Sequence, residues 1–433
     1  MINLEETQKR KQNMRIYSLY RAISMDLLFF YAIDFLFLTQ VKNISPSDVV
    51  LKSSFYALFM IILQIPASIL IDKIGTRKCT IIANVFNTLY LIKTMFSRNL
   101  LDLIIAEFFC AICFSIKDIS DTTLLNKSIP KVRKKGEIFS KIEGRGNKNY
   151  YYLNAVASFL AGFLYTVNPY LPMILATIIS IFATILSTGF AEIKSSKQKK
   201  ITDVNEYIKD VKESFKFIVK SNRLRSLVLY SGIMWGVFCL VSTYRASLLD
   251  DIGTSATWIA IVAAIVGIAT GIGSKSQLKI HKKYRNKSLS ILAIATTISI
   301  ILTGLVGISG LSSDAIMILV LIFNVVLNMA KGAYGVLMTR YLSNFTNSKI
   351  LPKIYSVNAI SRNIFRMLIG FLGSYLLEIT NTAHAEILVG IIFAIVTLSL
   401  ISYMKTRTGL KADEYKEEEI KFDISKKMWY NFA

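Results

Sequence analysis

Twelve apolar stretches, each long enough to cross a bilayer, run along this 433-residue chain. Nothing else in it narrows the possible folds as far. Hydrocarbon offers backbone N–H and C=O groups no partner, so a spanning segment must satisfy them internally. A run of ~20 apolar residues does this as a helix. By that length the stretches lie at about 15–41, 50–72, 79–97, 101–126, 148–167, 171–192, 225–249, 255–275, 288–310, 314–340, 352–378 and 384–405. Charged residues make up only 18% of the chain, less than a soluble protein of this size carries. The expected fold class is an all-α membrane protein with 12 transmembrane helices. The first residues are charged and polar and lead into a long polytopic pattern, so no cleavable leader is expected.

The loops between the stretches alternate between basic and nearly uncharged. Of 51 Lys and Arg, 41 fall on one side, and Lys42, Lys52 and Arg98 fall on the other. An excess of Lys and Arg marks the cytoplasmic side. Both termini are then cytoplasmic, and the chain is expected to cross the membrane many times. The net charge of +23 reflects this asymmetry. Its consequence is contact with anionic lipid headgroups. Nucleic-acid binding, which such a charge would imply in a soluble domain, is not expected, because the basic residues are spread over many loops.

The middle of the chain divides it. Residues 1–193 are expected to form one six-helix bundle, 194–223 a cytoplasmic linker, 224–407 a second six-helix bundle and 408–433 a cytoplasmic tail. In the linker Ile201, Val204, Ile208, Val211, Phe215, Ile218 and Val219 recur at spacings of three and four, with lysines opposite. That pattern predicts an amphipathic helix, lying on the headgroups or packed on the bundle. Ala161-Gly162-Phe163-Leu164 in stretch 5 and Ile369-Gly370-Phe371-Leu372 in stretch 11 are similar, as expected of two pseudo-repeats.

Seven basic and five acidic residues lie inside the stretches: Arg21, Lys93, Lys117, Arg245, Lys331, Arg362 and Arg366, against Asp26, Asp34, Glu107, Asp118 and Asp121. Each is expensive in hydrocarbon and faces a cavity or a partner. Carboxylates in such surroundings can take up and release protons near neutral pH. Asp34, Asp26 and Glu107 are the candidates for proton coupling, with a structural ion pair as the competing reading. Asp34 and Arg245 are expected to pair near the outer surface. Arg362 and Arg366, four apart, share a helix face. Arg21 and Asp121 are near enough to the inner surface to snorkel, and Lys93 to the outer one. Asp118 is read either as a cavity residue or as a neutraliser of Lys117 or Lys331.

After the second stretch the chain reads Asp72-Lys73-Ile74-Gly75-Thr76-Arg77-Lys78. This resembles the loop signature of the major facilitator superfamily, an acidic residue and a Gly followed by a basic pair. The resemblance covers the whole chain as architecture. It implies the two-repeat fold, a monomer and alternating access, with Asp72, Gly75, Arg77 and Lys78 as a conformational-switch loop. It also implies that helices 1, 4, 7 and 10 line the cavity. Lys117, Asp118, Arg245, Lys331, Arg362 and Arg366 are the substrate-cavity candidates. The linker leading into Arg223-Leu224-Arg225 resembles efflux-type members from Gram-positive bacteria, and abundant Lys, Asn and Ile suit an AT-rich genome. Two features depart from the multidrug branch: no Gly-Pro pair follows Gly144, Gly146 and Gly162, and Glu107 stands where an Arg is usual.

Other chemistries find no support. Cys110 and Cys113 have redox-motif spacing but sit in an apolar helix, where packing is the expected role. No Walker loop, dinucleotide fingerprint or zinc spacing occurs, so neither an enzyme nor a cofactor or metal site is expected. Gly267 and Gly271 fit a small-residue packing face. The expected function is proton-coupled efflux of a small amphipathic compound. The alternatives are uptake of an anionic or zwitterionic solute held by Arg362, Arg366 and Lys331, translocation of a lipid or glycolipid, or a non-transporting sensor. The partners expected are a small-molecule substrate, protons and anionic lipids.

Overall fold

The computed structural model describes residues 4–130, 133, 135–193, 212–213, 215–216, 218–284, 287–344 and 351–407. Most of the linker, including Ile201 to Val211, lies outside these residues, as does the tail from 408. Every regular element described is helical: α1 (Leu4–Ser24), α2 (Asp34–Leu36) running into a π-helical turn (Phe37–Val41), α3 (Pro46–Ile74), α4 (Thr76–Met95), α5 (Leu100–Ser128), α6 (Lys135–Val167) and α7 (Leu171–Thr188). Then follow α8 (Asn222–Asp251), α9 (Ala256–Tyr284), α10 (Ser288–Gly307), α11 (Ser313–Asn344), α12 (Leu351–Ile379) and α13 (Thr382–Arg407).

Seven helices, α3, α7, α8, α9, α10, α11 and α13, contain an uninterrupted stretch apolar enough to cross a membrane. The remaining long helices, α1, α4, α5, α6 and α12, carry most of the interior charge.

The first stretch, read as one helix over 15–41, is broken. The helical ladder of α1 stops with Met25 N–H donating to Arg21 O, and resumes with Asp34 N–H donating to Phe30 O. Between them Phe29 stands at φ 65°, a left-handed conformation that aromatic side chains rarely adopt. The segment holds neither Gly nor Pro. Its cause is tertiary: the Lys117 ammonium of α5 donates to Ser24 O, the carbonyl that ends α1. A cation at a helix C-terminus also meets the negative end of the helix dipole.

Several other boundaries moved for local reasons. Ser45 caps α3 by accepting from Asp48 N–H, with Pro46 at the first position, so that helix starts earlier than its apolar run. Helix α6 begins at Lys135, well ahead of the apolar run at 148. Its polar first turns pack on α1, and Gly146 makes this possible: a Cβ there would lie 2.8 Å from Arg21 Cβ.

The molecule contains two compact units. Unit 1 comprises residues 1–209, 242–265 and 367–380, and unit 2 residues 210–241, 266–366 and 381–433. In unit 1, α5 packs on α3 and α4, α6 packs on α1, and α7 packs on α4. Tyr17, Tyr20, Leu124, Leu125, Ile129 and Phe190 form a core where α1, α5 and the end of α7 meet.

The two glycines singled out as a repeat have equivalent jobs in unit 1. A Cβ at Gly162 would meet Ala260 Cβ at 2.7 Å, and one at Gly370 would meet Ser54 Oγ at 2.1 Å. Each lets its helix press against another, α6 on α9 and α12 on α3. Ser374 Oγ donating to Ser47 O at 2.9 Å and the Phe55–Phe371 edge contact extend the second.

In unit 2, α10 packs on α11 and α13. The packing face expected at Gly267 and Gly271 is displaced. Nothing lies within 4 Å of a Cβ at either position. The close approach is made instead by Gly273 and Gly332, whose added Cβ atoms would lie 2.0 Å from Met329 O and 1.9 Å from Thr270 O.

Candidate functional site

Charges inside unit 1 form two clusters, one on either side of the break in the first stretch. On the side of the Lys/Arg-rich loops, Arg21 lies between Asp121 (3.6 Å) and Glu143 (3.4 Å), and its Nε donates to Asn147 at 3.1 Å. Tyr20 donates to Asp121 Oδ1 at 3.1 Å, and Tyr17 to Glu143 Oε2 at 2.5 Å. Asn84 Nδ2 donates to the Tyr20 hydroxyl, and Asn84 Oδ1 accepts from Lys117 at 3.3 Å. Lys117 also lies 5.4 Å above the Tyr20 ring. Arg21 and Asp121 were expected to snorkel. Instead they are paired inside, because α6 reaches further than its apolar run and brings Glu143 and Asn147 against α1.

On the opposite side of the break, Lys52 holds two carboxylates. Its ammonium is 2.9 Å from Asp34 Oδ2 and 3.4 Å from Glu107 Oε1. The Phe30 ring lies 5.8 Å away, and Tyr90 donates to Glu107 Oε1 at 3.5 Å. Lys52 and Glu107 are each 5% exposed. Asp34 was expected to meet Arg245; the structure gives it a different cation. Lys52 had been counted with the basic residues of the outer side, but the cap at Ser45 puts it in the second turn of α3, where it is buried. Arg245 is half-buried on α8.

Asp26 lies in the break itself, where its carboxylate accepts from Leu27 N–H at 2.9 Å. Asp118 makes no ion pair with Lys117 among the described residues, since that ammonium is turned to Ser24 and Asn84. Its side chain is exposed on α5. Lys93 pairs with Asp102 at the start of α5. Cys110 and Cys113 are buried free thiols in the α5 packing.

The loop after α3 is built around Gly75, which stands at φ 93°. A Cβ there would be 3.0 Å from the Glu192 carboxylate. That carboxylate caps α4, accepting from Thr76 N–H at 3.2 Å, Thr76 Oγ1 at 3.0 Å and Arg77 N–H at 2.7 Å. Arg77 donates in turn to Thr188 O at 2.8 Å. Asp72 is half-buried at the end of α3, and Lys78 is exposed.

In unit 2 the chemistry is cationic. A Cβ at Gly232 would lie 2.3 Å from the Phe365 ring and 3.0 Å from Ser361 Oγ, so α8 and α12 approach closely there. One turn along, the Arg362 guanidinium stacks on the Trp235 indole, 3.6 Å from its centroid. Lys331 of α11 sits 5.9 Å from the same ring. Arg366 follows one turn after Arg362 on α12. The hydroxyl of Tyr334 donates to Ser231 O at 2.7 Å and fixes α11 against α8 beside this group.

Sequence reading missed Lys52, Glu143, Glu192 and Trp235. The first two were hidden by misplaced helix starts. Glu192 sits at the polar end of the sixth stretch, with no pattern to single it out, and Trp235 is one aromatic among many.

Charges paired through the interior of a bundle of apolar helices are what a membrane transport protein would carry. Residues 20–324 match the Major Facilitator Superfamily, and the chain belongs to that family. A 154-residue region is 23% identical to the uncharacterized MFS-type transporter YxaM of Bacillus subtilis (strain 168), covering 35% of this chain and 39% of that protein. The chain thus matches well under half the length of this curated relative. The fold resembles the crystal structure of the nucleoside transporter NupG, with a TM-score of 0.71 at 10% identity over 92% of this chain and 99% of that one. It also resembles the D-xylose-proton symporter, with a TM-score of 0.67 at 12% identity over 94% and 98%. At such identities the likeness is one of fold.

Proposed function

We propose that this family member is a proton-coupled secondary transporter that exports a small amphipathic compound by alternating access. The observation that carries the reading is the Asp34–Lys52–Glu107 triad. Two carboxylates on one buried ammonium have a net charge of −1 when ionised and none with one proton bound. Neutrality of the site is therefore tied to proton binding. The triad also touches the break in the first stretch, since Phe30 and Asp34 belong to the segment where the helix resumes. Loss or gain of the proton changes the contacts holding that segment. In this reading Asp72, Gly75, Arg77 and Lys78 form the switch loop, with Glu192 as its docking point. Asp26 and Asp118 face the solute path. The chain sits in a bacterial cell membrane with both termini cytoplasmic.

Proteoliposomes test this. A pH gradient imposed across the membrane is expected to drive movement of a dye-like amphipath through the wild-type protein, and its polarity gives the direction. Asp34→Asn and Glu107→Gln should each abolish gradient-driven movement while leaving counterflow exchange in place. Gradient-driven transport that survives both substitutions would remove the triad from coupling.

A further inference from the structure

We propose that Lys117 is a positioning residue for the coupling triad: by holding Ser24 O it keeps the first stretch broken, and release of that carbonyl lets the helix rejoin. This deepens the transporter reading and rests on it. In an uninterrupted helix Ser24 O would accept from Leu28 N–H, four residues on. Here the Lys117 ammonium donates to it instead. Leu28 N–H has no backbone acceptor among the described residues. One carbonyl thus has two competing donors, and the one it takes decides whether α1 ends at Ser24 or continues.

The surroundings hold Lys117 in place for this. It is 3% exposed on α5. Asn84 of α4 turns its Oδ1 to the ammonium at 3.3 Å, because its Nδ2 donates to the Tyr20 hydroxyl at 2.9 Å and to Thr80 O at 2.7 Å. The Tyr20 ring faces the same charge at 5.4 Å. The charged neighbours are engaged elsewhere. Asp121, one turn on along α5, takes Tyr20 and Arg21. Asp118 makes no ion pair with Lys117 among the described residues, and Asp26 accepts from Leu27 N–H. A cation at the C-terminal end of α1 also meets the negative end of its dipole. The opposing tendency lies in the segment itself. Residues 25–33 contain neither Gly nor Pro, so they can be helical. Phe29 at φ 65° is in a state that such residues keep only where their surroundings hold them.

The break reaches the triad through Phe30. This residue follows Phe29 directly, and its carbonyl accepts from Asp34 N–H at 2.9 Å where the helix resumes. Its ring lies 5.8 Å from the Lys52 ammonium and 5.5 Å from the Tyr90 ring, and Tyr90 donates to Glu107. Rejoining the helix returns Phe29 to the right-handed region and turns Phe30 relative to α1. The contact of Phe30 with Lys52 and the approach of Asp34 to the same ammonium both change. Lys117 thereby acts on the triad from the far side of the break without touching it.

The test uses purified full-length protein and hydrogen exchange read by mass spectrometry. Lys117→Met removes the donor at nearly constant volume, so Ser24 O returns to Leu28 N–H. Exchange over residues 25–33 is then expected to slow severalfold, while peptides from α7 keep their wild-type rates. Lys117→Arg keeps a donor and should exchange like the wild type. In proteoliposomes Lys117→Met should lose most gradient-driven movement of a dye-like amphipath while counterflow persists, and Lys117→Arg should restore much of it. Equal or faster exchange over 25–33 in Lys117→Met would overturn the proposal, and so would undiminished gradient-driven transport by that variant. If Lys117→Met does not fold, Lys117→Gln, too short to reach Ser24 O, gives the same comparison. The two readings fail separately. Coupling that survives Asp34→Asn removes the triad and leaves the exchange result standing, whereas unchanged exchange removes Lys117 and leaves the triad.

Discussion

Lys52 serves two carboxylates at once, and that makes it the side chain whose loss should be felt most in unit 1. Removing one partner from a buried ion pair leaves an uncompensated charge and costs about 3–5 kcal/mol. Lys52→Met should therefore lower the melting temperature sharply. Adding Asp34→Asn and Glu107→Gln to the same protein should recover most of the loss, because no buried charge is then left behind. A triple variant no more stable than Lys52→Met alone would mean that the triad is not held by charge. At this scale the sequence was informative about the acids and poor about their partners. Asp34 and Glu107 stood out because carboxylates interrupt apolar runs. Lys52 did not, since three residues at a helix start, Ser45, Pro46 and Asp48, decide whether it lies in a loop or faces inward.

Elements were legible where hydrophobic length alone determines them. All twelve stretches are helical, and most ends fall within a few residues of the apolar run. Two kinds of feature escaped. The break at Met25–Ile33 contains no Gly or Pro, so nothing local announces it. It depends on Lys117, which is distant in sequence. Close helix contacts were misread for a related reason: spacing picks out small residues, but not which of them faces a neighbour. Gly267 and Gly271 had the expected spacing and open space around them, while Gly273 and Gly332 make the contact. The two cases separate in an experiment. Gly332→Ala drives a methyl group into the Thr270 carbonyl and should cost about 1–3 kcal/mol. Gly271→Ala meets nothing and should gain about 0.5–1 kcal/mol by stiffening a helix. Thermal unfolding of the two variants side by side measures the difference, and equal melting temperatures would refute this account of the α9–α11 contact.

For the whole molecule, the alternation of basic and neutral loops gives a topology that labelling can check. Ser255 and Lys283 flank α9 and are both exposed. The four natural cysteines, Cys79, Cys110, Cys113 and Cys239, are replaced first. A membrane-impermeant maleimide added to intact cells should then modify Ser255→Cys and leave Lys283→Cys untouched until the cells are permeabilised. The reverse pattern would invert the orientation. The interior charge is also unevenly divided in a way that loop counting missed. Among the described residues, the carboxylates Asp26, Asp34, Glu107, Asp118 and Asp121 of the apolar stretches belong to unit 1, and Lys331, Arg362 and Arg366 belong to unit 2. Summed over the chain, these tendencies nearly cancel, which is why sequence alone left a remainder that looked only slightly basic.

The paired glycine contacts bear on how the protein is made. Gly162 waits for Ala260, and Ser54 waits for Gly370. A ribosome supplies these partners long after the first helices have entered the bilayer. Until residue 380 emerges, unit 1 has faces that only lipid or an insertion factor can cover. Its completion thus waits until the chain is nearly finished, and premature truncation before the end of α12 should leave a substrate for membrane quality control rather than a half-molecule that works.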